Sequence, residues 1–388
     1  MGALAFVGHA SGPRERALRG IALVQLREYD RAKADLAYAL DAFDLAGNAG
    51  DAARAAAALA EIELQARNVP AARETLRLQR RRLVELRDWV NTAYIEILLV
   101  RLAVLAGEVD TGLAGLRRLD ALTDQIPPEQ RRPIAAFASL AAGEAARARR
   151  AFGDSERCYL RAEALNQGRN RLMAEEVTDA LAGLRLPKIQ WTIDGSARWM
   201  SEVELERHEG THEGLVIDLI SGRARQPLSQ GGSTVLEGRF SLLRLAGALS
   251  GTEPRSAREL FEDTYGVRYR NASHHARLKV AISRLRKVLG SQAVVHTGKG
   301  WRLGLEQVAV VVAAPADPIA RIHARLGDGE AWSSAALSTA VGLSKRHTQR
   351  ALRELGETGR VEIIGAGRAT RYRIAGMRVA IASPMLLP

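Results

Sequence analysis

Apolar positions along this chain recur at two periods, and the changes of period divide it. From about Pro13 to Leu184 Ala and Leu return every three or four residues, which predicts helices that each bury one face. Breaks at Gly47–Gly50, Asn68–Pro70, Gly107, Pro127-Pro128 and Gly153 separate them. After Pro187 come short β-branched runs, IQWTID and GLVIDLISGRARQPL, which read as strands with turn residues between them. The helical period then returns three times. VLEGRFSLLRLAGALSG carries a core stripe of Phe240, Leu243 and Ala246/Leu249, and SARELFEDTYG opens on Ser256 as an N-cap. SHHARLKVAISRLRKVLG places Leu278, Ile282, Leu285 and Leu289 on one face. VVHTGKGWRL then predicts a hairpin, with Val294–His296 and Trp301–Leu303 flanking a Gly298–Gly300 turn. Val308–Pro315 is wholly apolar and either closes the preceding sheet or links onward.

From Asp317 the pattern restarts. DPIARIHARLGDG is a helix with Ile319, Ile322 and Leu326 inward, and WSSAALSTAVG is a short helix with a Ser cap. LSKRHTQRALRELGETG is a longer one with Leu343, Thr348, Leu352 and Leu355 inward, and VEIIGAGRATRYRIA is a hairpin turning at Gly365–Gly367. These periods predict a multidomain chain. An all-α helical half spans 1–185, and two α+β domains follow at 188–306 and 316–376.

The helical half repeats. In RGIALVQLREYDRAKADLAYAL the small residues Gly20, Ala32 and Ala39 stand where two helices approach closely, with Tyr29 and Leu36 between them. A shift of 40 residues brings Ala60, Ala72 and Leu76 into register, and another brings Val100, Gly112 and Leu116. A degenerate fourth copy is expected around Phe152–Leu165, with Cys158 in the small-residue position as a packed hydrophobe. This half resembles tetratricopeptide repeats of the longer kind found in bacterial transcriptional regulators. The resemblance implies a helical-repeat solenoid whose concave face takes a protein, a peptide or a small effector. The basic runs Arg80-Arg81-Arg82 and Arg131-Arg132 read as solvated faces.

In the middle domain the flanks and outer face of the third helix carry Arg277, Lys279, Ser283, Arg284, Arg286 and Lys287. A basic helix followed at once by a small hairpin is the layout of a winged helix, a fold that places the helix in the major groove of DNA and the wing on the backbone or minor groove. Strands, three helices and a hairpin in that order resemble the OmpR-type effector domain of bacterial response regulators over about Gly214–Gly304. The resemblance rests on GRFSLLRLAGAL, SARELF, LKVAISRLRKVLG and HTGKGWRL, with Phe240 and Leu243 in core slots and Trp301 as the wing's anchoring aromatic. It implies that Arg284 approaches base edges, that Arg286 pairs with a phosphate, and that Thr297 and Lys299 lie at the wing.

Over about Pro318–Ile374 the chain resembles the MarR- or DeoR-type winged helices of bacterial regulators, through GLSKRHTQRALRELGETGRV. Ser344 then caps the helix and frees Lys345, Arg346, Gln349, Arg350 and Arg353 for DNA, Arg and Gln being suited to bidentate base contacts. Arg368, Thr370 and Arg371 at this second wing meet phosphate or the minor groove.

Charge sharpens this picture. The chain of 388 residues has a formal net charge of +12, and its excess is unevenly placed. Residues 1–185 hold 27 Lys/Arg against 25 Asp/Glu, whereas 186–388 hold 29 against 19. The C-terminal half therefore suits a polyanion. One cysteine allows no internal disulfide, and its solitude argues against a zinc site. No apolar run approaches membrane-spanning length, and Ala3–Val7 is too short for a secretory core, so a cytoplasmic protein with no membrane partner is expected.

Enzyme readings find no support. GAGRAT is a lone GxG inside a hairpin, TGKGW lacks the P-loop spacing, and His274-His275 has no partner cluster. The sequence thus predicts a non-enzymatic, cofactor-free transcriptional regulator acting on double-stranded DNA, under control of the repeat half. The alternative is an interaction scaffold whose winged helices serve as docking modules. Oligomeric state stays open, a homodimer included.

Overall fold

A computed structural model describes residues 12–26, 28–65, 69–193, 196–227, 231–313, 318–326, 331–357, 361–365, 367 and 370–374. The chain divides between Gly183 and Leu184 into two compact units.

The first unit is built of α1 (Pro13–Gln25), α2 (Tyr29–Leu45), α3 (Ala49–Gln65), α4 (Val69–Glu85), α5 (Trp89–Leu105), α6 (Val109–Leu122), α7 (Pro128–Ala148), α8 (Phe152–Asn166) and α9 (Arg171–Arg185). From α1 to α8 each helix packs on the next in sequence. Small residues make the close approaches. A Cβ added at Gly20 of α1 would fall 2.6 Å from Leu36 Cγ of α2, and Ala32 and Ala39 beside it are wholly buried. The same spacing returns in α7 and α8. There a Cβ at Gly143 would come within 2.5 Å of the Tyr159 ring, while Ser155 and Ala162 are wholly buried. Ser155 Oγ donates to Gly143 O at 2.8 Å. The small-residue position of this pair therefore belongs to Ser155, not to Cys158 as the sequence suggested. Three residues separate the two along one helix face, so spacing alone did not distinguish them. Cys158 is half-buried, and burial chiefly raises its thiol above the ordinary range. In between, Ala60, Ala72, Leu76, Val100 and Gly112 are buried as expected, and Leu116 only partly so.

Helix α5 is enclosed over nearly all of Asn91–Ala103. It carries two charges inward, and a buried charge persists only when it is paired. Glu96 accepts from Arg80 Nη1 and from Arg118 Nε, both at 2.8 Å. Arg101 donates through Nε and Nη2 to Glu144 at 2.9 and 2.7 Å and also reaches Glu176. Its two carboxylates hold the guanidinium above its usual range against strong desolvation. Arg80 is thus an inward partner of Glu96 rather than part of a solvated run. Arg131 and Arg132 likewise satisfy carbonyls, at Ile126 (2.8 Å) and Leu165 (3.1 Å).

The second unit holds both stretches expected as separate domains, and its described residues are mixed α and β. Its elements are β1 (Ile189–Ile193), β2 (Ser196–Met200), α10 (Glu202–Thr211), β3 (Val216–Asp218), β4 (Arg223–Arg225) and β5 (Thr234–Val235). They continue with α11 (Phe240–Leu249), α12 (Ala257–Tyr265), α13 (Ala272–Leu289), β6 (Val294–Thr297), β7 (Gly300–Leu303) and β8 (Ala309–Ala313). After them come α14 (Pro318–Leu326), α15 (Ser334–Val341), α16 (Lys345–Glu357), β9 (Val361–Ile364) and β10 (Arg371–Ile374).

A six-stranded sheet runs in the order β2-β1-β8-β3-β4-β5. Strand β8 lies inside it, antiparallel to β1 and parallel to β3. Its run of apolar residues is that of a strand covered on both faces, and Ala309, Val310 and Val311 are buried. The apolar stretch after the first hairpin therefore closes the sheet. Helix α10 stands where only turn residues were expected. Its capping box is complete, with Ser201 Oγ accepting from Glu204 N at 3.2 Å and Ser201 N donating to Glu204 Oε2 at 2.8 Å. Only Leu205 of α10 is buried, which is why hydrophobic period missed it.

Two apolar cores follow. Leu243, Phe261, Leu278, Ile282, Leu285 and Val294 anchor the first, and Ile322, Leu337, Leu352, Leu355 and Val361 anchor the second. Each such side chain contributes on the order of 1.5–3 kcal/mol on burial.

Candidate nucleic-acid interface

Two helices present cationic faces, and each is aimed by its buried stripe. In α13 the buried side is Leu278, Ala281, Ile282 and Leu285. Asn271 caps its start, its Oδ1 accepting from His274 N at 3.2 Å. The opposite side leaves Arg277, Lys279, Ser283, Arg284 and Lys287 exposed. The helix contains no acidic residue, and none of Lys279, Arg284 and Lys287 is ion-paired among the described residues. Four exposed cations without an acidic residue on their own helix repel one another, and a polyanion relieves that repulsion.

The structure separates the proposed contact residues of α13 into two groups. Lys279, Ser283, Arg284 and Lys287 point outward. Arg286, assigned to a phosphate by resemblance, turns the other way: its Nε and Nη2 donate to Val294 O at 3.0 and 2.7 Å, tying α13 to strand β6. A half-buried guanidinium beside a strand end is held by the carbonyl there. Arg277 lies over the Tyr265 ring at 4.1 Å, a contact that orients it while leaving it exposed. His274 stacks on Phe261 with centroids 4.4 Å apart and accepts from Arg270 N at 3.1 Å, so it serves the helix start, whereas His275 lies beside Trp301 at 6.2 Å.

The hairpin β6–β7 pairs Val294 with Leu303 and Thr297 with Gly300. Near its turn it is pinned to the start of α12 by Arg255 N donating to Trp301 O (2.8 Å) and Trp301 N to Arg255 O (2.9 Å). A Cβ at Gly300 would stand 2.2 Å from Arg255 O, so only glycine allows this approach. Trp301 rests against His296 at 4.7 Å. Thr297 Oγ1 donates to Gly300 O at 3.2 Å and closes the turn, leaving Lys299 exposed at the tip. Phe240, read as a core residue, is only partly buried and meets Trp332 at 5.0 Å.

In α16 Thr348, Ala351, Leu352 and Leu355 face inward, and Lys345, Arg346, Gln349, Arg350 and Arg353 face solvent together. Ser344 caps the start, its Oγ accepting from His347 N at 3.3 Å and pairing with His347 Nδ1 at 3.0 Å. The second hairpin pairs Arg371 with Ile364 and Arg373 with Glu362, the latter also as an ion pair of 2.8 Å. Thr370 Oγ1 donates to Gly367 O at 2.9 Å, and Arg371 Nη1 to Thr370 O at 3.1 Å. Arg368 lies outside the described residues.

Sequence reasoning passed over Val280, which is 51% exposed within the cationic face of α13. Its spacing from Ala276, Ser283 and Lys287 by threes and fours was the available signal. Among the described residues no group of His, Cys, Asp and Glu is placed to hold a metal, and no helix is long and apolar enough to cross a membrane. No family model, no curated protein and no solved structure matches the chain.

Proposed function

We propose that the chain is a DNA-binding transcriptional regulator, in which a tetratricopeptide-like half senses or docks a partner and two winged-helix modules engage duplex DNA. The observation that carries this reading is that cationic faces recur in the same setting. A short helix and a turn precede α13 and α16, an antiparallel hairpin follows each, and the cations lie opposite the buried stripe. Arg284 and Arg350 have the reach and donor geometry for guanine, and Gln349 for adenine. Lys287, Lys299 and Lys345 suit phosphates.

The test is a fluorescence-anisotropy titration of the full chain against duplex DNA across salt concentrations. Binding should weaken steeply with salt, as release of counterions requires. Absence of binding to any duplex at about 10 µM and about 50–100 mM salt, the reach of ordinary nonspecific affinity, sinks the reading. The second reading, an interaction scaffold, draws on the exposed apolar Val280 and Ile363. It predicts protein capture by α13 that is insensitive to salt and lost in Val280→Asp.

A further inference from the structure

The helix pairs that lead into α13 and α16 end against one another. Arg244 of α11 donates through Nη1 to Thr339 O of α15 at 2.9 Å and through Nη2 to Asp263 O of α12. Arg321 of α14 donates to Val341 O at the end of α15. Both acceptor sets belong to the last turn of a helix, where carbonyls lack intrahelical partners and carry the negative end of the dipole. Arginines thus satisfy the C-termini of α12 and α15 together. Burial first, and the nearness of Arg321 next, lowers Arg244 to about 10.

A third arginine completes the seam. Arg325 is 6% exposed, lies over the rings of Phe240 (4.6 Å) and Trp332 (4.2 Å), and donates to Ile220 O at 3.1 Å. Phe240 and Ile220 belong to the first module, and Trp332 and Arg325 to the second. The turns themselves come close: a Cβ on Gly266, after α12, would lie 3.8 Å from Leu343 O, just before α16. Fully extended chain from Gly266 to Ala272 and from Leu343 to Lys345, at about 3.6 Å per residue, then keeps the two helix starts within about 37 Å at most. That upper bound is close to the about 34–36 Å of one duplex turn.

We infer that α13 and α16 form one rigid reader, set by the Arg244–Arg325 seam, which recognises a single two-part duplex site within about one helical turn. The inference rests on the DNA-binding reading. Two readers on a stiff frame gain avidity only at one spacing, whereas tethered readers tolerate many.

The full chain is used to enrich duplexes from a random pool, and about five base pairs, half a turn, are then inserted between the two parts of the enriched site. Both parts should appear at one spacing, and the insertion should weaken binding about 100-fold or more. In the chain carrying Arg244→Gln and Arg325→Leu, the same insertion should cost less than about threefold relative to that chain's own uninserted site. Because each variant is compared with itself, a general loss of affinity does not confuse the result. If the double variant does not unfold cooperatively, Trp332→Leu alone should shrink the insertion penalty. Enrichment of one part only, or an unchanged affinity on insertion in the unsubstituted chain, overturns the inference while leaving DNA binding intact. Enrichment of no duplex overturns both.

Discussion

Arginines are abundant in both units, yet the outward ones of α13 and α16 are employed unlike the paired ones of the helical unit. In the helical unit Arg54 bonds Asp51 and Asp88, Arg19 bonds Asp35, and Arg101 is enclosed between Glu144 and Glu176. Those charges cancel within the fold. On α13 and α16 the outward arginines Arg284, Arg346, Arg350 and Arg353 show no ion pair among the described residues. A count of basic residues therefore says little until each is placed. A paired arginine spends its charge on holding helices together, and an unpaired exposed one keeps its charge for a ligand.

The largest effect on the fold is expected at Arg101. Arg101→Met leaves Glu144 buried without its partner, which should cost about 3–5 kcal/mol of stability. Chemical denaturation of the full chain reads this out. Adding Glu144→Leu should recover a large part of the loss, because an apolar pair avoids the cost of burying charge. No recovery would mean that the triad contributes more than charge compensation.

Arg286 tests the boundary between the two employments. It lies on the basic helix but is spent on Val294 O. Arg286→Met should lower stability by about 1.5–3 kcal/mol, the worth of hydrogen bonds to a charged group. Arg284→Ala, two positions away, should change it by no more than about 0.5 kcal/mol, as exposed sites do. Equal effects on folding would mean that Arg286 holds the fold no more than Arg284 does.

Binding should reverse that order. Arg284→Ala and Arg350→Ala, made singly, should each weaken binding to the enriched duplex by about 1–3 kcal/mol and relax the sequence preference at one position. Lys287→Ala should weaken all duplexes alike and reduce the slope of log affinity against log salt by about 1. Anisotropy titrations at several salt concentrations separate the two behaviours. A uniform loss from Arg350→Ala would make it a phosphate contact instead.

Much of this was legible in the order of residues, and what was not shares a cause. The 3.6-residue period marks the inward face of α13, and Ser256 with Glu259 three residues on marks the start of α12. Direction is local information. Partners are not. Arg101 meets Glu144 and Glu176 at 43 and 75 residues' remove, and nothing near any of them announces it. The place of β8 beside β3 likewise depends on strands distant in sequence, so its apolar run could not reveal that it closes a sheet. Arg286 looked like its neighbours because a helical wheel gives a side chain's bearing without what stands there. The seam around Arg325 was hidden for the same reason, since Ile220 lies 105 residues away.

The smallest effect is the most exacting check on placement. Arg171 and Glu175 of α9 form an i,i+4 ion pair at 2.8 Å, but their side chains are 90% and 48% exposed. By distance alone it resembles the Arg101–Glu144 contact at 2.7 Å. Water screens it, and ordering two long side chains offsets most of the attraction. A double-mutant cycle on Arg171→Ala and Glu175→Ala should therefore give a coupling of only about 0.3–0.5 kcal/mol, vanishing at high salt. The same cycle on Arg101 and Glu144 should give several-fold more and persist in salt, because both groups are desolvated. Equal couplings would mean that distance, rather than burial, sets the strength of arginine pairs in this unit.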